Sequence, residues 1–291
     1  MLADNLLQKI GFTDCQQQEY YKYRALTDNR LAECAEKFMM ESISFDEALS
    51  SIHEMFGHLH SYTVDLLFVL ECTGFLLEKY RAAGIAESIF INSMCDIKYK
   101  LDECLQVKHI FGIFVIDWYK GFLSLKRLAL GRLQYDITEY DGDDIKLGHF
   151  LIKNGDFVLK CHIPSSGPLR PELCVESFKM AYDFFREHLK NGILPILCHS
   201  WLLYPPYQKV FGEHSNTHAF TEFFNIVQVE PKEAFHDAWR VFGMQLGDNT
   251  DILPAHTTLQ KNFIKYIEEG NGFGIAIGVI LFDGSNTIKI L

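Results

Sequence analysis

The chain has 291 residues, of which 48% are hydrophobic and 22% charged, and its formal net charge is −11. This composition predicts a packed globular protein rather than a disordered one. An acidic chain is not expected to bind nucleic acid, which calls for a basic face. The first residues lack a signal-peptide pattern, and the apolar run Phe273–Phe282 is too short to span a bilayer, so no membrane partner is expected. Eight scattered cysteines without a CxxC pair indicate reduced thiols in a cytoplasmic protein.

The first half of the chain has a helical pattern and contains no proline before Pro164. Ser44 followed by Glu47 is a capping box, and apolar residues then recur at helical spacing as far as Gly84. These signals predict a helix from about Ser44 to Gly84. Further helices are predicted over 93–107 and 113–126.

The second half changes to strand patterns. In GRLQYDIT, at 131–138, apolar and polar residues alternate, and Asp-Gly and Asn-Gly turns separate the apolar runs that follow. This pattern predicts a three-stranded antiparallel meander over 131–163. A helix is predicted over 171–190, and its sheet-facing stripe is expected to comprise Phe178, Ala181, Phe184, Phe185 and Leu189.

The remaining segments complete an α+β pattern. A strand over 193–203 is predicted to run parallel to the last meander strand through a right-handed crossover. The other predicted elements are a short helix at 206–212, a strand at 225–230, helices at 231–243 and 257–270, and a final strand at 274–282.

The corner between the last meander strand and the helix at Pro171 contains Ser165, Ser166 and Gly167. Backbone N–H groups near a helix N-terminus, with the positive end of the helix dipole, suit a phosphate. The alternative is an ordinary strand-to-helix turn, which Glu172 in the first helical turn favours. A bulky side chain at Gly167 is expected to block a phosphate without affecting folding, unless Gly167 needs a positive φ.

Other candidate motifs are less specific. GNGFG at 270–274 leads from a helix into a strand, so Gly270 is interpreted as the end of the helix. His53 and His60 are too far apart on one helix for a common metal ion, and no metal site is expected. In the segment CHS, His199 faces the opposite side of the strand from Cys198 and Ser200, so these residues do not form a local nucleophile and base pair.

Two histidines lie near the carboxyl ends of the predicted parallel strands, where open α/β sheets bind ligands: His162 and His199. Either is a candidate general base. The alternative for each is a structural histidine in the core.

Several segments resemble a known family: LGRLQYDI, HIPSSGPL, SFKMAYDFF, CHSWLLYPP and LPAHTTLQKNFIKYIEEG. They are similar to segments of bacterial acyltransferase domain-containing proteins, which combine an N-acyltransferase N-terminal helical domain with a GNAT-like C-terminal domain. The resemblance covers most of the chain from about Leu128 and is weaker over the first hundred residues. It implies a GNAT-like mixed sheet, with a helical domain at 1–127 and a GNAT-like domain at 128–291.

The resemblance also implies an activity, the transfer of an acyl group from acyl-CoA or acetyl-CoA to an amine acceptor that the sequence does not identify. In GNAT enzymes the corner corresponding to Ser165, Ser166 and Gly167 holds the pyrophosphate of the coenzyme. His199 or His162 would then take the amine proton, and Tyr204 or Tyr207 would protonate the departing thiolate.

Two other functions fit the same sequence. One is a non-catalytic ligand-binding or regulatory protein with a degenerate GNAT fold. The other is a structural scaffold, which leaves the serine and glycine corner without a purpose. The oligomeric state does not follow from the sequence.

Overall fold

Residues 3–247 and 249–290 are described by a computed structural model. The chain divides after Ala129 into a helical unit and a unit built around a sheet. The architecture is therefore α+β, as the sequence predicted.

Helices form the first unit, and the long helix α5 lies at its centre. The helices are α1 Ala3–Lys9, α2 Asp14–Arg24, α3 Asn29–Met39, α4 Phe45–Met55, α5 Ser61–Ala82, α6 Glu87–Lys108 and α7 Tyr119–Leu123. Every residue of α5 from Thr63 to Leu70 is buried. A helix that is apolar on all sides must be surrounded by others, and α5 packs against α2, α3, α4, α6 and α7.

The predicted capping box at Ser44 and Glu47 is confirmed at the start of α4. The prediction of one helix from Ser44 to Gly84 is wrong, because α4 ends at Met55 and α5 begins at Ser61. His60 separates them, since its Nδ1 accepts a hydrogen bond from the N–H of Tyr62 and caps a new helix. The helix predicted over 113–126 is reduced to the 3₁₀ turn Ile116–Trp118 followed by α7.

A mixed sheet forms the core of the second unit, with the strand order β1-β2-β5-β6-β8-β7 and with β9 also paired to β8. Its strands are β1 Arg127–Leu130, β2 Leu133–Glu139, β5 Phe157–His162, β6 Leu194–Ser200, β7 Asn225–Lys232, β8 Phe273–Phe282 and β9 Thr287–Ile288. Strands β5 and β6 are parallel, as predicted. The pairs β2–β5, β6–β8, β7–β8 and β8–β9 are antiparallel.

The predicted three-stranded meander is wrong. Strand β2 pairs directly with β5, and the segment between them forms a separate hairpin of β3 Ile145–Leu147 and β4 Phe150–Ile152. The alternation expected in β2 is also incomplete, because Arg132 and Gln134 are buried together with Leu133 and Tyr135. The reason is tertiary: the hairpin supplies apolar side chains to one face of the sheet instead of a strand to its middle.

The two faces of the sheet are covered by different elements. On one face, Leu147, Phe150 and Ile152 of the hairpin form a core with residues of the sheet, namely Val158, Leu197, Val279 and Leu281. Because side chains alternate along a strand, Phe282 lies on the opposite face from Leu281. There it contacts Phe178 of helix α8 Pro171–Phe184, with the ring centroids 5.9 Å apart.

Helix α8 is shorter than predicted, ending at Phe184 before a 3₁₀ turn at Arg186–His188. Phe178, Ala181 and Phe185 are buried as expected, but Phe184 is 39% exposed. The prediction that Phe184 faces the sheet is therefore wrong. At about 100° per residue, Phe184 lies roughly 60° around the helix from Ala181 and roughly 100° from Phe185, at the edge of the buried stripe.

The remaining helices are α9 Asn216–Thr221, α10 Ala238–Phe242 and α11 Thr258–Glu268. Short 3₁₀ segments occupy Trp201–Leu203, Pro205–Lys209 and Thr250–Ile252. The helix predicted over 231–243 is wrong at its start, because β7 continues to Lys232 and α10 begins only at Ala238. Helix α11 starts at a capping box on Thr257, and Gly270, with a φ of 72°, follows its end.

Phe178 and Phe184 lie on the same helix with opposite burial, which makes them a matched pair for a stability test. Phe178→Ala should lower the free energy of unfolding by about 3–5 kcal/mol, because it opens a cavity against the sheet. Phe184→Ala should lower it by roughly 1 kcal/mol or less, since the residue is already 39% exposed in the folded protein. Denaturant unfolding measures both values, and equal losses would contradict this placement of α8.

A buried carboxyl predicts a pH dependence in the helical unit. Asp65 is 3% exposed and its Oδ1 lies 2.7 Å from Nε2 of His53. Burial raises the pKa of Asp65 to about 6. The hydrogen bond with His53 acts in the opposite direction, but its effect on the pKa is smaller than that of burial. The folded protein therefore holds this proton more tightly than the unfolded chain, whose aspartate titrates near its ordinary pKa of 3.8. The protonated carboxyl of Asp65 therefore stabilises the fold fully below pH 3.8, and this contribution is lost as the pH rises through about 6.

The stability advantage of wild type over Asp65→Asn should accordingly shrink between pH 4 and pH 7, by on the order of 1–3 kcal/mol. Unfolding at several pH values measures this difference. Asp183→Asn, at an exposed aspartate of the other unit, is the control and should show no such trend. A parallel pH profile for wild type and Asp65→Asn would contradict the assignment.

Candidate functional site

The parallel strands β5 and β6 separate at their carboxyl ends. Their pairing comprises Leu159 with Ile196 and Lys160 with Leu197. Both strands nevertheless continue, β5 to His162 and β6 to Ser200. Among the described residues no further register pair joins the two strands, so they are separated by an opening beyond these positions. Ligands bind at the carboxyl ends of strands in open α/β sheets, which makes this opening the candidate site.

His162 ends β5 beside the opening and is held by a carboxylate. Its Nε2 lies 2.9 Å from Oδ2 of Asp136 on the neighbouring strand β2, and the side chains are 28% and 23% exposed. Gln134 is the direct partner of His162 in the antiparallel register. Asp136 lies two residues further and so on the same face of the sheet. The carboxylate can orient the imidazole toward the opening, as a positioned general base requires.

His199 lies near the end of β6 and contacts a different carboxylate. Its side chain is 52% exposed, and Nε2 is 3.5 Å from Oε1 of Glu230 on β7. The hydrogen bond from Lys232 and, less strongly, the charge of His199 lower the pKa of Glu230. His199 is thus more exposed and less tightly held than His162.

Tyr204 and Tyr207 follow β6 and belong to an aromatic cluster. Tyr207 is fully buried, and its ring centroid lies 5.1 Å from that of Phe263 and 5.0 Å from that of Tyr204. Burial raises the pKa of Tyr207 strongly, and its hydroxyl accepts a hydrogen bond from the N–H of Gly274 at 3.4 Å. Gly274 is required here, because a Cβ would lie 2.3 Å from the ring of Tyr204. The surroundings of Tyr207 are those of a packed core residue, whereas Tyr204 is 7% exposed.

The corner after β5 places small residues between the opening and helix α8. Ser165 and Gly167 are exposed, and Ser166 is partly buried. Within the described residues, no atom accepts a hydrogen bond from the backbone N–H of Ser166 or of Gly167. Helix α8 begins four residues after Gly167, at Pro171, without a side-chain cap. Donors that lack an acceptor in the protein suit an anion bound from solvent.

A buried arginine lies beneath the corner. Arg132, in the turn between β1 and β2, is 9% exposed. Its guanidinium donates to the carbonyl oxygens of Pro164 at 3.1 Å, Gly167 at 2.6 Å and Pro168 at 3.2 Å. The corner is therefore shaped by a cation from another part of the sheet. Glu172 carries a negative charge in the first turn of α8, which disfavours a phosphate there. Its Oε1 lies 3.8 Å from Nε of Arg170.

The cysteines near the site are buried rather than reactive. A contact with Cys198 and burial raise the pKa of the Cys161 thiol far above its usual value, and Cys198 is 2% exposed. A thiol held in its neutral form is a poor nucleophile. In residues 3–247 and 249–290, no group of His, Cys, Asp and Glu side chains is placed to hold a metal ion. None of the described helices is both long enough and apolar enough to cross a membrane.

Comparison with protein families identifies the sheet unit. Residues 128–280 match the family model of the GNAT-like C-terminal domain. The chain belongs to this family. Residues 1–125 match the N-acyltransferase N-terminal domain, so the chain has the domain combination that the resemblance predicted. No curated protein matches the chain.

Solved acyltransferases share the GNAT-like fold across the chain. One, crystallised with CoA and 10C-teicoplanin, has a TM-score of 0.75 at 19% identity, covering 96% of this chain and 87% of its own. An acyltransferase with decanoyl-CoA and teicoplanin has a TM-score of 0.72 at the same identity and coverage. A third, with decanoyl-CoA, has a TM-score of 0.63 at 19% identity and covers 96% of this chain and 99% of its own. At this identity the likeness shows the fold, and it confirms the predicted GNAT-like class.

Two residues near the opening were not predicted from the sequence: Asp136, which contacts His162, and Arg132, which contacts the corner. Asp136 occupies a polar position in the alternating segment LQYDI, but the incorrect meander placed another strand between β2 and β5. Arg132 is one charged residue in a turn, and no local pattern distinguishes it. Correct pairing of β2 with β5 would have placed Asp136 beside His162.

Gly167 has a φ of 98°, a conformation that residues with a side chain rarely adopt. A bulky residue at this position would therefore strain the backbone as well as block a phosphate. Gly167→Ala should lower the free energy of unfolding by about 1–2 kcal/mol, because L residues disfavour this conformation. Gly192→Ala is a matched control, with a φ of 74° and, as at Gly167, no atom within 4 Å of the added Cβ. Similar losses at both sites by thermal unfolding would show backbone strain, whereas a neutral Gly167→Ala would contradict the observed φ.

Proposed function

We propose that this protein is an acyl-CoA-dependent N-acyltransferase that transfers an acyl group to the amine of a small-molecule acceptor not yet identified. Membership of the GNAT-like family and acyltransferases of the same fold crystallised with acyl-CoA support the reaction class. The observation that carries the proposal is the opening between β5 and β6, with His162 at its edge and the corner beside it. We also propose the domain limits 1–127 and 128–291, supported by the family matches and by the division after Ala129.

The corner supplies a place for the pyrophosphate of the donor. The N–H groups of Ser166 and Gly167 and the hydroxyls of Ser165 and Ser166 are suitable donors for phosphate oxygens. The whole chain is acidic and would repel an anionic coenzyme. The guanidinium of Arg132 beneath the corner provides local positive charge against this repulsion.

Separated strands offer a path for the pantetheine and the thioester. Among the described residues, backbone pairing between β5 and β6 ends at Lys160 and Leu197, and both strands carry further backbone N–H and C=O groups beyond these positions. A pantetheine arm contains amide groups that can pair with such groups as an added strand does. The thioester would then reach the carboxyl ends of the strands, near His162 and His199.

The catalytic step is direct attack of the amine nitrogen on the thioester carbonyl carbon. We propose His162 as the general base: Asp136 orients its imidazole, which takes the proton that the nitrogen loses as the new C–N bond forms. The C–S bond then breaks, and the thiolate takes a proton from a general acid. Tyr204 is preferred for this role over Tyr207, because Tyr207 is fully buried and already bonded to Gly274.

His199 is the second candidate base, with Glu230 as its carboxylate. His199 is more exposed than His162 and lies farther from its carboxylate. These differences favour a role for His199 in binding the acceptor rather than in taking the amine proton. Substitution at both histidines separates the two assignments.

The experiment combines donor binding with turnover. Decanoyl-CoA and acetyl-CoA are titrated by calorimetry, and decanoyl transfer to a panel of primary amines is followed by mass spectrometry. His162→Asn should lower the turnover rate by roughly 10²–10⁴-fold with little change in donor affinity, because a general base acts on the chemical step. His199→Asn should have a smaller effect on that rate.

His188→Asn, at an exposed histidine whose ring stacks on Phe157 at the amino end of β5, is the matched control and should behave as wild type. Full turnover in His162→Asn would contradict the assignment of the base. If wild type binds no thioester at millimolar concentration, or binds one and transfers it to no amine, the non-catalytic alternative replaces the proposed enzyme.

A further inference from the structure

We infer that Arg132 is a positioning residue that forms the pyrophosphate site before the donor binds, and that Ser177 of α8 holds Arg132 in place for this task. The inference rests on the proposed function, since it concerns how this chain binds acyl-CoA. It assigns roles to two buried residues, of which neither contacts the reacting atoms.

The corner has few means of holding its own shape. Pro164 and Pro168 lack a backbone N–H and donate no hydrogen bond. Gly167 adopts a φ of 98°, and a glycine costs more conformational entropy to fix than any other residue. The prolines fix their own φ, but the serines and the glycine between them would sample several conformations without support from outside the corner.

Arg132 supplies the missing support. It donates to three carbonyl oxygens of the corner, those of Pro164, Gly167 and Pro168. The planar guanidinium presents its donors in a rigid fork, so it holds the three carbonyls in one arrangement. A lysine at this position has one ammonium group and cannot reproduce that geometry.

The same bonds set the direction of the peptides at the two ends of the corner. In a trans peptide the C=O and the following N–H point in opposite directions, and the described chain contains no cis peptide. Because the carbonyl of Pro164 points to Arg132, the N–H of Ser165 points away from it. The contact to the carbonyl of Pro168 orients the N–H of Leu169 in the same way, whereas the peptide after Gly167 leads to Pro168 and has no N–H. Arg132 thus anchors both ends of the corner, and the N–H groups of Ser166 and Gly167 lie between these anchored ends.

Ser177 fixes the turn that carries Arg132. Its hydroxyl donates to the carbonyl of Leu130 and accepts a hydrogen bond from the N–H of Leu133 at 3.2 Å, on either side of Gly131 and Arg132. The hydroxyl of Tyr135 lies 2.9 Å from the same oxygen. Ser177 is completely buried. Helix α8, the turn and the corner are therefore joined through one serine and one arginine.

The inference is tested with two donors that differ only in the nucleotide. S-decanoyl-pantetheine lacks the whole 3′-phospho-ADP group of decanoyl-CoA, so the ratio of the two Kd values reports the contribution of the nucleotide, and the change of this ratio in a variant at the corner reports its effect on the bound pyrophosphate. Arg132→Lys keeps the charge and loses the fork, whereas Arg132→Gln loses both. Both variants should raise the Kd of decanoyl-CoA by about tenfold or more and leave the Kd of S-decanoyl-pantetheine nearly unchanged.

Arg186→Gln is the control for net charge, because Arg186 is 70% exposed on the turn after α8. It should keep the wild-type ratio. Ser177→Ala is a second variant that retains Arg132, and it should shift the ratio in the same direction by about threefold. Thermal unfolding of each variant establishes that it is folded, and Ser177→Ala tests the inference if neither Arg132 variant folds.

The outcomes separate the inference from the function on which it rests. Equal weakening of both donors would show a structural role alone, and a wild-type ratio in Arg132→Lys would show that charge acts rather than geometry; either overturns the inference. If wild type binds neither donor, the proposed function fails instead.

Discussion

The early end of the pairing between β5 and β6 is the constraint on which the candidate site depends. Two parallel strands that stayed paired to their ends would fill the space with their own hydrogen bonds. Here the pairs stop at Lys160 and Leu197 while the strands continue. The rest of the sheet maintains this separation, because β2 holds the outer edge of β5 along its length and β8 holds that of β6. Each separated strand is thus supported from its other side.

Side chains around the opening are arranged by the same pairing. The antiparallel register of β2 and β5 brings Asp136 to His162, and the order β6-β8-β7 brings Glu230 near His199. Each imidazole contacts a carboxylate from a strand that is distant in sequence. The two pairs differ in exposure and in distance, and this difference is the ground on which we propose His162 rather than His199 as the general base.

The prediction of the fold succeeded where a local pattern decides the structure. The capping boxes at Ser44 and Thr257 and the parallel relation of the strands around α8 follow from residues close in sequence. It failed at the meander, because an Asn-Gly or Asp-Gly turn predicts a hairpin but does not say which strand lies next to it in the sheet. It failed at Phe184 because this residue lies at the edge of the apolar stripe of α8, where helical spacing alone does not decide which side chains are buried.

The sequence by itself determined that this chain is an α+β protein with a helical first half, and that a serine and glycine corner joins a strand to a helix near two histidines. These features depend on periodicity, turn residues and segments characteristic of a family. Only the tertiary structure decided that Asp136 supports His162, that Arg132 holds the corner and that Tyr207 is enclosed by aromatic rings. The physical reason is that each of these contacts joins residues far apart in the chain. Local periodicity and turn residues do not reveal such contacts, which form only when the strands pair and the side chains pack.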